Sequence, residues 1–168
     1  PNPGVQWTRS ATLRSPLTPD VGRIPNRTDI LEASDISLDV YISSTADVTA
    51  AAQGPRLLAL EDDGILTCIR NHVGALPSLT GCPIDPYADA VFDVSLLPAL
   101  KKGLASAHAA YASGPPTLEV WVGTEIRPVK RELFAKVSRE TLLTTISTLQ
   151  ALVDTALQRR QCLVFCGD

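Results

Sequence analysis

QCLVFCGD, residues 161–168, decides how the chain is to be read, because an apolar run this short is either the tail of a helix or a buried strand. As a strand it points Cys162, Val164 and Cys166 to one face and Leu163 and Phe165 to the other. Both faces are apolar, the pattern of a strand covered on both sides. The two cysteines are then about 13 Å apart along the strand, while a disulfide needs Cα atoms about 4.4–6.8 Å apart, so they do not bridge each other. They are expected to act as small buried hydrophobes.

Upstream, ETLLTTISTLQALVDTALQRRQ (140–161) feeds this run. Leu142, Ile146, Leu149, Val153 and Ala156 recur at helical spacing, in a helix that starts near Ser138. Arg159 and Arg160 fall in the last turn, where they complement the helix dipole. Before it, TLEVWV (117–122) alternates Leu118, Val120 and Val122 against Glu119 and Trp121. Strand, helix and terminal strand together predict a β-α-β unit with parallel strands and a right-handed crossover.

The other elements follow from the same two periodicities. ISLDVYIS (36–43) sets Ile36, Leu38, Val40 and Ile42 against Ser37, Asp39, Tyr41 and Ser43, a strand with one face on a core. PRLLALEDDGILTCIRNH (55–72) holds two apolar runs around Asp62, Asp63 and Gly64. Asp-Gly suits a tight turn, so 57–61 and 65–70 are expected to pair as an antiparallel hairpin with Glu61, Asp62 and Asp63 at its tip. The glycines and prolines of 71–86 predict a long loop. A helix follows, with Ser95 as N-cap, Pro98 in its first turn, a stripe of Leu97, Leu100, Leu104, Ala107 and Tyr111, and Gly114-Pro115-Pro116 as its stop. The fold class expected is α+β or α/β: one layer of mixed sheet packed by two main helices.

Five prolines at 1, 3, 16, 19 and 25, around a short strand candidate at VQWTRSATL, make residues 1–28 an extended arm. Residues 29–168 form the single expected domain. Fifteen Lys and Arg against 18 Asp and Glu give a net charge of −3, which offers no footprint for nucleic acid and favours a basic partner. No apolar run is long enough to span a bilayer and no basic-led signal segment is present, so a cytoplasmic protein is expected. Cys68, Cys82, Cys162 and Cys166 lack CxxC spacing, as suits reduced thiols.

Chemistry-bearing motifs are sparse. His72 and His108 are the only histidines. Cys68 and His72 are four apart, but two donors do not make a metal site that takes four, and no metal or cofactor is expected. The nucleophile elbow, phosphate loop, dinucleotide fingerprint, zinc-protease helix and calcium-loop patterns are all missing from the sequence. Asp85, Asp89 and Asp93 in DPYADAVFD are each four apart and on a helix would share one face. They form either a solvated acidic face or helix-entry cap, or a docking surface for a basic partner, with Tyr87 as aromatic anchor and Trp121 as a second.

The helix 140–161 running directly into CLVFCGD resembles the C-terminal layout of small bacterial immunity proteins of polymorphic-toxin systems, contact-dependent or secreted-effector. The resemblance covers residues 117–168, with a looser likeness of layout from about residue 85. It implies a non-enzymatic cytoplasmic protein that binds one cognate toxin domain tightly and blocks its active site or substrate access. It carries over no catalytic residue and no binding position. The alternative is a small enzyme using a cysteine or a carboxylate pair in a pocket with His72 or His108, which requires those groups to converge in space.

Overall fold

The computed structural model describes residues 37–61, 64–73, 84–126 and 130–167, all within one unit, Ser34–Asp168. The expected N-terminal arm, Ile36, Asp62, Asp63 and Cys82 lie outside the described residues. The elements in chain order are β1 (Ser37–Ser43), α1 (Val48–Ala51), β2 (Leu58–Glu61), α2 (Ile65–Val73), β3 (Ala90–Phe92), α3 (Leu97–Ala112), β4 (Thr117–Glu125), β5 (Arg131–Ser138), α4 (Arg139–Arg159) and β6 (Cys162–Cys166). The class is α+β.

Four strands form a sheet in the order β2-β1-β6-β3, and β4 and β5 form a separate two-stranded sheet. Every pairing is antiparallel. β6 is therefore an interior strand, as its two apolar faces require, with β1 on one side and β3 on the other. Register aligns the core face row by row: Leu60 with Leu38, Val40 with Phe165, and Phe165 with Ala90. Leu163 and Phe165 are fully buried there, and Phe92 meets Phe165 edge to face at 5.5 Å and 75°. Such a pair adds about 0.5–1.5 kcal/mol beyond its area.

α2, α3 and α4 close this face with Leu66, Ile69, Leu97, Leu100, Leu104, Leu142, Ile146, Leu149 and Val153, all at most 1 % exposed. Both long-helix stripes are thus where periodicity predicts them, and Ser138 caps α4 by accepting from Thr141 N–H. At the other end of α4, Arg160 adopts the left-handed conformation (φ 53°, ψ 45°), and Gln161 N–H returns to Ala156 O at 2.9 Å. That turn redirects the chain into β6.

The opposite face of the sheet carries Tyr41, Val164, Val91, Cys162 and Cys166. Among the described residues α1 alone covers it, through Val48 and Ala51, with Asp47 accepting from Ala50 N–H at 3.2 Å as its cap. A helix of four residues cannot cover the whole row. Cys162 and Cys166, expected to be buried, are therefore half-buried.

Three expectations are corrected. Residues 65–70 are not the return strand of a hairpin but the first two turns of α2, whose Leu66, Ile69 and Val73 fall on one buried face. Gly64 does take a positive φ of 94°, yet it turns the chain into a helix and lies under the β4–β5 sheet. A methyl placed on it would sit 3.0 Å from Val137 Cγ2 and 3.1 Å from Ala135 Cβ. Second, the parallel β-α-β unit does not form. β5, for which no element is expected from the sequence, pairs with β4, and α4 leaves from β5. The chain then returns to a different sheet, where β6 runs antiparallel to both neighbours. Third, the described residues form two sheets in place of one, and neither is mixed.

Candidate functional site

The acidic segment 85–93 is not helical, so its carboxylates do not share a helix face. It is a turn followed by β3, and each aspartate has its own task. Asp85 and Ala88 form an isolated bridge around Pro86 and Tyr87, closed by Ala88 N–H on Asp85 O at 3.2 Å. Asp85 Oδ1 also accepts from Tyr87 N–H at 3.0 Å, and its Oδ2 lies 3.3 Å from Arg70 Nη2 on α2. Asp89 Oδ1 accepts from Gly167 N–H at 3.1 Å, just past β6.

Asp93 closes the segment and starts α3. Its Oδ1 accepts from Ser95 N–H at 2.8 Å, Ser95 Oγ at 2.6 Å and Leu96 N–H at 3.2 Å. The Ser95 hydroxyl, followed by the Ser95 N–H, holds the Asp93 carboxyl below its usual range. The helix entry thus rests on Asp93, and Ser95, the expected N-cap, is a donor to it.

The result is a braced turn with Tyr87 at its tip, 64 % exposed. Its backbone is fastened to α2, to the end of β6 and to its own aspartate. Pro86 is buried beneath it, and Asp89 and Asp93 are exposed. Glu61 is exposed at the end of β2.

Trp121 lies on a different element, the outer face of the β4–β5 sheet, 53 % exposed. Its cross-strand partner is Phe134, 56 % exposed. Phe134 had a signal in the sequence: in RELFAKVS, Glu132, Phe134 and Lys136 alternate with Leu133, Ala135 and Val137, the period of a strand. A bulge between Trp121 and Gly123 interrupts β4 just beyond this pair.

Among the described groups of the enzyme alternative, Cys68 and His72 take part in packing α2 against α3. Cys68 is buried in α2, and Tyr111 Oη on α3 reaches its carbonyl at 3.5 Å. His72 stands edge-on to the same Tyr111 ring, 5.1 Å between centroids, so it joins α2 to α3. Burial drives the Tyr111 hydroxyl up to about 12. His108 is half-buried on α3. Burial, with the charge of Asp93, raises the Cys162 thiol; burial, with Asp89 and Asp39, raises that of Cys166. A raised thiol is a poorer nucleophile at neutral pH.

An open groove of about 690 Å³ runs along the outer face of α4 from Arg139 to Ala151. Its polar groups are Arg139, whose guanidinium donates to Gly114 O, Glu140, and the hydroxyls of Thr144, Ser147 and Thr148. Among the described residues no three His, Cys, Asp or Glu side chains cluster to hold a metal ion. Among them, too, no helix is long and apolar enough to cross a membrane. No family model, curated protein or solved structure matches the chain.

Proposed function

We propose that the chain is a non-enzymatic protein-binding domain that neutralises a cognate toxin domain, docking on it through the turn at Tyr87. The observation that carries this reading is the fixed presentation of one exposed aromatic ring. Tyr87 is 64 % exposed while the backbone beneath it is tied to Arg70, Asp85 and Gly167 through the contacts described. A ring on a braced backbone loses little freedom on binding, and Tyr is among the residues that dominate interface energies. The exposed carboxylates of Asp89 and Asp93 nearby in the chain favour a basic partner. The class of partner, and action in the cytoplasm, come from the resemblance of residues 117–168 to immunity proteins.

The test is binding kinetics with the purified product of the adjacent gene. Tyr87→Ala is expected to speed dissociation and weaken the complex by ~2 kcal/mol, about 30-fold in Kd, with folding unchanged. A wild-type chain that does not bind that product removes the toxin reading. A Tyr87→Ala complex as tight as wild type removes the turn as the docking site.

A further inference from the structure

Of the sheet edges among the described residues, β5 is the one built to accept another strand. β2 has four residues and β3 three, the short edges that soluble proteins use to avoid strand addition. β4 has nine but is broken by its bulge, and bulges twist an edge away from further pairing. β5 runs for eight residues with no irregularity of its own, and among the described residues β4 is its only strand partner.

Its sequence is self-complementary. Paired antiparallel with a second copy about Phe134, residues whose numbers sum to twice 134 stand opposite each other. Phe134 then meets Phe134, Glu132 meets Lys136, and Leu133 meets Ala135. Glu132, Phe134 and Lys136 are all exposed on the outer face, so both charge pairs form on the same side of the sheet as the aromatic contact. Shifting the register by two residues either way places Phe134 against Glu132 or Lys136 and loses the two opposite-charge pairs.

The existing β4–β5 register extends this pattern. Trp121 is already opposite Phe134, and Glu119 opposite Lys136. Joined through β5, two copies give a four-stranded sheet whose outer face carries a continuous aromatic row, Trp121, Phe134, Phe134 and Trp121. Beside it runs an alternating row of Glu119, Lys136 and the second copy's glutamate at 132. Cross-strand aromatic and opposite-charge pairs are the units that stabilise sheets, and a two-fold axis requires this kind of self-complementarity.

We propose that the free edge of β5 is the two-fold contact of a homodimer, pairing antiparallel about Phe134. The inference is independent of the docking role given to Tyr87, which lies on another element.

Sedimentation of the full chain over a concentration series tests it. Wild type is expected to pass from monomer to dimer in the micromolar range, the behaviour of a small interface. Lys136→Glu, which sets like charges opposite each other at two symmetric positions, is expected to weaken the dimer by about tenfold. The double variant Glu132→Lys/Lys136→Glu restores both pairs in its own dimer and is expected to regain the wild-type affinity. Register is read by Phe134→Cys, which brings two thiols to a cross-strand separation of about 4.5–5.5 Å, within disulfide range, and is expected to cross-link on oxidation. Leu133→Cys, opposite Ala135 instead of itself, is not. A wild-type chain monomeric at every concentration up to about 0.5 mM overturns the proposal, as does a dimer indifferent to both charge variants. Cross-linking of Leu133→Cys in place of Phe134→Cys overturns the register.

Discussion

Gly167 N–H donates to Asp89 Oδ1 at 3.1 Å, and through that bond the end of an interior strand supports the turn that carries Tyr87. The approach is closer than any side chain permits. A methyl on Gly167 would meet Ala88 N at 2.6 Å and Pro86 O at 2.8 Å, both backbone atoms that move only with the turn itself.

Gly167→Ala is accordingly expected to destabilise the domain by ~1–3 kcal/mol, the range for forced overpacking. Chemical denaturation gives the stability. If the turn is the docking element, the same variant also weakens partner binding, although residue 167 is distant in sequence from Tyr87.

Phe165→Ala is expected to cost ~3–5 kcal/mol, because the ring is fully buried on the second interior strand and loses its edge-to-face partner Phe92. A double-mutant cycle with Phe92→Leu is expected to return a coupling of about 0.5–1.5 kcal/mol for the ring pair. A coupling near zero would mean that the two rings act only through the volume they fill.

Arg160→Gly is expected to stabilise. Arg160 closes α4 at φ 53°, a conformation that glycine adopts without the Cβ penalty. The side chain is exposed, so little packing is lost, and the gain expected in denaturant unfolding is ~0.5–1 kcal/mol. It is a net figure, because glycine also raises the entropy of the unfolded chain.

Stability is expected to be bounded on both sides of neutral pH. Asp93 is held below its ordinary value of 3.8, so its contribution is complete above that pH and is lost as pH falls through the depressed value. Cys162 and Cys166 are raised from 9.0, and Tyr41 and Tyr111 from 10.0, chiefly by burial. Their contribution is complete below those ordinary values and is lost as pH rises through the raised ones, about 12 for Tyr111. Thermal melts across pH should therefore show a plateau that declines above about pH 9. Cys162→Ser/Cys166→Ser is expected to remove the earliest part of that decline. Melts that are flat to pH 11 would contradict the burial of these groups.

Local signals in the sequence determined the elements whose cause is local. The 3.6-residue stripes of α3 and α4, the Ser138 cap, the alternation of β1 and β4, and the two apolar faces of β6 all depend on neighbours within a few residues. The class of fold was legible from them. Partnership was not. An apolar run such as ILTCIR has the composition of a strand and the spacing of a helix, and what made it α2 is the buried face its Leu66, Ile69 and Val73 share against the core. The Asp-Gly step before it does turn the chain, at a Gly64 of positive φ, but where the chain went next depended on Gly64 fitting under Val137 and Ala135, more than 70 residues away. Likewise, nothing near residue 117 says that β4 pairs with 131–138 and not with 162–166, because strand hydrogen bonds are made by backbone groups that every residue carries. The aspartates of 85–93 were visible as a charge pattern. The entry to α3 is again local, since Asp93 bonds to Ser95 and Leu96, two and three residues on, but the Arg70 partner of Asp85 and the Gly167 anchor on Asp89 were decided only when tertiary packing brought α2 and β6 to the turn, since those bonds join groups that sequence spacing does not relate.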